Sequence, residues 1–407
     1  MTTTGVMMEQ ETPAKGFALE LSDKIVPLRA ALRRMMNELG SPKSAQDLHR
    51  LSGASRTICW QVFRIVSADE VASEARRAPT PSSLKPLLAA ASASGVSRQT
   101  IKAVESTAEE FRAFSKRAAG DRTAFDSMLG GISGEEGGGK ILLSQRRAAY
   151  RANSHIAGVQ TDFLYFGVIL RRSESGDTID SVGFNVHQGV RRLRPDAKVT
   201  LFGYQNPGAT ALPQKALDEE AAKVYGMPVL PQFSTNPLPR IEKVVLPSSG
   251  WQLFNTVGHE VGQPGSINCA FAQPAFAVPF STDVDGRRYF GQTFYHVRKP
   301  VAMTVQEILL HRDSFPNIRP ELLVYQYSVG DHSQEGARQA QKYPLDERLI
   351  KVGRADTVDL AEMPKYAELL RTGADYANWD LSEFDVYRVR MAYPIMYSAV
   401  RIFFYVD

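Results

Sequence analysis

Arg56, Thr57, Gln61 and Arg64 recur within the stretch "AQDLHRLSGASRTICWQVFRI", Ala45 to Ile65, and are the side-chain types that read the edges of base pairs. Arginine donates two parallel N–H groups to guanine, glutamine pairs with adenine, and threonine meets a phosphate or a thymine methyl. Ser55 stands at the start of the same segment, and Lys43 and Arg50 flank it as candidate phosphate contacts. A helix whose amino end faces a phosphate adds its own partial positive charge to those contacts.

Other reactive patterns fail on a specific position. His259 and Glu260 begin a metalloprotease-like pair, yet no second histidine follows four positions after His259. His155, His187, His296, His311 and His332 are dispersed, and His296 and His311 fall on adjacent predicted strands where they can approach each other or Asp313. That is too few converging ligands for a cupin-like metal site, so neither a metal nor a cofactor is assigned. Gly134, Gly139 and Lys140 match part of a phosphate loop, but Ile141 replaces the Ser or Thr that holds magnesium and no strand leads in. No serine sits in a Gly-x-Ser-x-Gly elbow, so no catalytic residue is named.

The elements that must position the candidate DNA-reading residues are legible around them. Ser44 with Asp47 resembles a capping box, and Ala45, Leu48 and Leu51 lie on one side of the short helix it opens. Gly53 supplies the turn, Ser55 caps a second helix from about Arg56 to Val66, and Ile58, Val62 and Ile65 form its buried stripe. Trp60 fits a core edge, a phosphate donor or a dimer contact equally. Upstream, Leu21, Ile25, Leu28, Leu32 and Met36 recur at the helical spacing, with Pro27 a kink or a start and Gly40 and Pro42 a stop. Gly95, Ser97 and Arg98 repeat the arrangement of Gly53, Ser55 and Arg56, 42 residues later. The second helix turns acidic at Glu105, Glu109 and Glu110, a surface that repels phosphate.

Charge location supports the same end of the chain. Residues 1–130 hold 18 Lys and Arg against 14 Asp and Glu, and the rest of the 407 residues hold 30 of each, so the whole excess of +4 is N-terminal. Two widely spaced cysteines, Cys59 and Cys269, frame no disulfide scaffold and no zinc site, which fits a reducing compartment. The start, "MTTTGVMMEQETPAKGF", lacks a basic region leading into a long apolar stretch, and no apolar run is long enough to span a bilayer. The expectation is a cytoplasmic protein with no membrane partner.

With Ala45, Gly53, Ser55 and Ile58 at its small, glycine, cap and apolar positions, the quoted segment of 21 residues resembles the helix-turn-helix module of bacterial one-component transcriptional regulators. Trp60 departs from that pattern, since so large a ring is unusual midway along a reading helix. The resemblance implies double-stranded DNA as partner and a homo-oligomer reading symmetric half-sites. The same helix, glycine turn and helix also occur in domains that never meet DNA.

The chain reads as an α+β multidomain protein: a flexible leader at 1–17, an all-helical helix-turn-helix domain at 18–128, a glycine-rich linker at 129–140, and a β-rich domain with helical insertions at 141–407. Strands are predicted at Phe163 to Leu170, "AKVTLFGY", "IEKVVLP", "SINCAFAQPAFAVPF", "RRYFGQTFYHV", "VQEILLHR", "ELLVYQYSV", Tyr387 to Met391 and Val400 to Val406. Few are followed by crossover helices, so a sandwich or jelly-roll-like fold is favoured over a parallel α/β enzyme. Tyr289, Phe290, Phe294 and Tyr295 either enclose an apolar pocket or pack a core. Three roles therefore stay open: a DNA-binding regulator whose β-rich domain senses a small-molecule effector or mediates assembly, a structural homo-oligomer, or an enzyme with its site in the β-rich domain.

Overall fold

The computed structural model describes residues 13–68, 74–132, 135–205, 216–246, 251–258, 260–283, 286–327 and 341–406. The chain divides into two compact units, Met1–Ser144 and Gln145–Asp407. Among the described residues no helix is long and apolar enough to cross a membrane.

The first unit is helical: α1 (Pro13–Glu38), α2 (Ala45–Ser52), α3 (Arg56–Ser67), α4 (Pro81–Ala93), α5 (Arg98–Ala119) and α6 (Arg122–Ile132), with α7 (Glu135–Ala157) running across the division between units. α1 passes through Pro27 without ending, and Leu21, Ile25, Leu28, Leu32 and Met36 are all buried in a core shared with Val62 and Ile65 of α3 and Val104 and Phe111 of α5. The expected leader is shorter than 1–17, because α1 begins at Pro13 and Phe17 stacks on Phe114 at 5.7 Å and meets Phe125 edge-on at 6.2 Å. An aromatic ring gains too much by that burial to stay outside the core. The glycine-rich stretch expected as a flexible linker lies instead largely within the backbone of α6 and α7, with 133–134 outside the described residues. Each glycine costs a helix only roughly 1 kcal/mol relative to alanine, which flanking helix formers can outweigh.

The second unit is built on a six-stranded sheet in the order β11, β12, β9, β1, β2, β6, formed by β1 (Val159–Arg172), β2 (Thr178–Arg192), β6 (Ile267–Pro279), β9 (Val301–His311), β11 (Ile350–Arg354) and β12 (Phe384–Ala392). Its β1 and β9 run parallel, while β1 and β2, β2 and β6, β9 and β12, and β11 and β12 are antiparallel. Side chains alternate between faces along each strand. Tyr165, Phe184, Val305 and Val386 point to a core closed by Tyr366, Leu369 and Leu370 of the helix α9 (Tyr366–Ala377). Leu164, Val168, Ile308 and Leu310 point the other way, against Phe290, Val400, Ile402 and Phe404 of a second sheet. That sheet has the order β10 (Glu321–Gln326), β13 (Ser398–Tyr405), β8 (Arg288–His296), β7 (Ser281–Thr282). A third, of order β3 (Val199–Gln205), β5 (Trp251–Thr256), β4 (Ile241–Leu246), packs Val199, Leu201, Phe202 and Phe254 against Cys269 and Phe271 of β6. The short helix α8 (Glu219–Tyr225) adds Ala221 to that cluster.

Helices followed by a β-rich region, with one sheet packed on another, answer the expected α+β class. Jelly-roll pairing does not describe the unit, because jelly rolls are antiparallel throughout and β1 pairs in parallel with β9. β2, β5, β11 and α9 were not among the expected elements. β2 hides in "TIDSVGFNVHQGVRR", where Asp180, Ser181, Asn185 and His187 interrupt the apolar run that marks a strand.

Candidate functional site

α3 is fixed at both ends. At its start Gly53 takes a φ of 65°, which a glycine adopts without strain, and the Ser55 hydroxyl accepts the Ile58 amide at 3.3 Å. One helix earlier the Ser44 hydroxyl accepts the Asp47 amide at 3.1 Å and donates to the Asp47 carboxylate at 2.9 Å. At the far end Arg33 of α1 donates to the Val66 carbonyl at 2.7 Å, and Arg29 donates to the Val66 and Ala68 carbonyls. Guanidinium groups suit the negative pole of a helix, so α1 ties down the carboxyl end of α3.

The buried stripe of α3 is Cys59, Val62, Ile65 and Val66, with Ile58 only half-buried. Arg56, Thr57, Trp60 and Arg64 are exposed, Gln61 is half-buried, and Ser55 and Lys43 are exposed. Among the described residues Arg56 takes part in no hydrogen bond or ion pair, whereas two of its companions are engaged. Arg64 donates to Glu74 at 2.6 Å, and Arg50 donates to Asp47 at 2.9 Å. Burial would raise the Glu74 carboxyl, but Arg77 and Arg64 outweigh it and hold the group below the usual carboxylate range. Trp60 is outside the core, 46% exposed, with the Arg77 guanidinium over its ring at 5.3 Å.

The second unit holds polar groups of two kinds. The first is a network centred on Glu307 of the six-stranded sheet, in which the buried Nη2 of Arg388 has no hydrogen-bond partner among the described residues. Glu307, fully buried, accepts the hydroxyls of Tyr165 at 2.9 Å and Tyr366 at 2.7 Å and the Nε of Arg388, whose Nη1 donates to the Asp359 carbonyl at 2.9 Å. Burial first, and then the Glu307 charge, hold both phenols well above their ordinary range. Gly167 is required here, because a Cβ at that position would lie 2.1 Å from the Tyr165 hydroxyl. Both carboxylate oxygens are bonded, so removing either partner of this buried ion pair would strand a charge in the core.

The second is open. A cavity of about 370 Å³ lies on the opposite face of the sheet, walled by Leu164 and Phe166 of β1, Val199, Leu201 and Phe202 of β3, and Leu253 of β5. Among its polar lining residues are Asn185 and His187 of β2, Lys198 before β3, His296 at the end of β8, and Arg298 and Lys299 between β8 and β9. His187 is 4% exposed, and among the described residues neither of its ring nitrogens has a hydrogen-bond partner, nor has the buried Oδ1 of Asn185. Burial, with the Lys299 charge adding to it, keeps the His187 imidazole well below its ordinary range and so neutral. The Lys299 ammonium donates to the Thr200 carbonyl at 3.0 Å, and burial pushes it down to about 7. Beside it the Cys269 thiol is pushed up to about 12 by burial, so it is neutral.

The histidines expected on adjacent strands are not brought together. His296 lies on β8 of the four-stranded sheet, its ring tilted by 34° to that of Tyr327 with centroids 3.9 Å apart, whereas His311 ends β9 and bonds Glu383 at 3.2 Å. Among the described residues no group of three or more His, Cys, Asp or Glu is placed to hold a metal ion, and His259 and His332 lie outside those residues. The Gly134 end of the partial phosphate loop also lies outside them, and Gly139 and Lys140 fall within α7. Of the aromatic residues expected either to enclose an apolar pocket or to pack a core, Tyr295 lines this cavity and Phe290 packs the core, whereas its polar side on β2 was missed, its legible signal an alternation of apolar Val182, Phe184 and Val186 with Gly183, Asn185 and His187. No protein-family model, curated protein or solved structure matches the chain.

Proposed function

We propose that the helical unit is a helix-turn-helix module that contacts double-stranded DNA, and that the chain is a transcriptional regulator acting as a homo-oligomer. The observation that carries this reading is the amino end of α3, where Arg56 and Thr57 are exposed beside a serine cap and Arg56 is committed to no partner among the described residues. A helix held by its far end, with unpaired donors at its near end, is the geometry that enters a major groove. The β-rich unit is then the sensing or assembly part.

Fluorescence anisotropy with random-sequence duplex DNA tests the reading. Affinity should fall steeply as salt rises from about 50 to 200 mM, because each phosphate contact releases counterions. Affinity independent of salt abandons it. The exposed Leu51 and Trp60, 49% and 46% exposed, favour a second reading in which this face docks another protein chain. A large assembly in solution with no DNA affinity would select that one.

A further inference from the structure

We propose that the cavity in the β-rich unit binds a small organic carboxylate, its apolar body against Leu164, Phe166, Leu201 and Leu253 and its charged end at Lys299 with His187 and Asn185. The inference goes beyond the DNA reading and does not depend on it.

Three observations converge on this ligand class. The volume, about 370 Å³, suits one small molecule, and most of the wall is apolar. The charged lining has one sign: Lys198, Arg298 and Lys299 face the cavity, and none of its described lining residues is Asp or Glu. The third is the state of the polar groups on β2. A buried donor or acceptor left unpaired is costly, so native folds keep few of them, and a bound ligand is one thing that answers the cost. Neutral His187 presents one N–H and one lone pair, and the N–H reaches a carboxylate oxygen while the ammonium of Lys299 neutralises its charge. The sheet imposes this arrangement, since Leu164 is opposite His187 and Phe166 opposite Asn185 across β1 and β2.

A carboxylate beside Lys299 favours the charged amine and so raises its affinity for a proton. With the free group pushed down to about 7, binding at pH 8 takes up more protons at Lys299 than binding at pH 6, where the amine is mostly charged already. This signature separates the site from a nonspecific apolar crevice.

Titration calorimetry of the full chain with 3-phenylpropionate, 3-phenylpropionamide and 3-phenylpropylamine is the test. The acid should bind at least tenfold more tightly than the amide, and the amine not measurably. Proton uptake, read from heats in buffers of different ionisation enthalpy, should be larger at pH 8 than at pH 6. Lys299→Met should bring the acid to the affinity of the amide. Equal binding of acid and amide, binding of none of the three, or no proton uptake at pH 8 overturns the proposal, and the wild-type readings decide it should the variant fail to fold. DNA affinity enters none of these readings, so failure here and failure of the regulator reading are told apart.

Discussion

Two helices in the first unit begin with nearly the same residues, Gly53-Ala-Ser-Arg before α3 and Gly95-Val-Ser-Arg before α5. In both, the glycine takes a positive φ, 65° and 92°, and the serine hydroxyl accepts the amide three residues on at 3.3 Å. They differ in what a distant residue brings. Glu38, at the end of α1, accepts the Ser97 amide at 2.8 Å and the Thr100 hydroxyl at 2.6 Å, so the start of α5 already holds an anion. The start of α3 holds none among the described residues. Local sequence makes both helix starts; the tertiary neighbour decides that one receives a carboxylate from the protein itself and the other, among the described residues, receives none.

The comparison breaks most readily at the two arginines. Arg56→Ala should cost about 1–3 kcal/mol of duplex DNA affinity if the side chain reads a base, while Arg98→Ala leaves it unchanged, both measured by anisotropy at one salt concentration. Equal losses would erase the distinction between the two helix starts.

A smaller effect is expected at the caps. Ser55→Ala should lower the unfolding free energy in urea by about 1 kcal/mol, the usual worth of a serine cap. Ser97→Ala removes the acceptor of the Thr100 amide but should cost less, because Glu38, accepting the residue-97 amide and the Thr100 hydroxyl, still anchors the first turn of α5. A larger loss at position 97 than at 55 would mean that Glu38 does not share the load.

The smallest difference is one of pH. The Thr100 hydroxyl and then the Ser97 amide hold the Glu38 carboxyl down at about 2, against an ordinary value of 4.5. A carboxylate depressed in the folded state stabilises fully above its unfolded value and loses that contribution as pH falls through its folded one. Glu38→Gln should therefore melt below the wild type at pH 7, with the gap closing between about pH 4.5 and 2. A constant gap across that window would show that the charge is not what fills the start of α5.

Much of the helical unit was legible because its signals are local. Leu21, Ile25, Leu28, Leu32 and Met36 announce α1 within one stretch, and Ser44, Gly53 and Ser55 mark boundaries through their own hydrogen bonds and dihedral angles. The committed state of Arg64 was not legible, since Glu74 folds back onto it from beyond the end of α3. In the β-rich unit the apolar strands declared themselves, but β2 did not, for the same reason that it matters: its polar positions line a cavity and so read as loop. Tyr165, Glu307, Tyr366 and Arg388 meet from four separate elements, and Lys299 meets His187 only after the sheet is assembled. No short-range pattern records such meetings.

The parallel pairing of β1 with β9 has a consequence for biosynthesis. As the chain leaves the ribosome, β1 finds β2 at once, but its other edge must wait until the chain has passed Val301. A nascent polypeptide halted before that residue carries an apolar strand with an open row of amides and carbonyls, the template on which chains cross-pair and precipitate. Tying the hairpin early to a partner supplied so late gives chaperones a long interval in which to engage it.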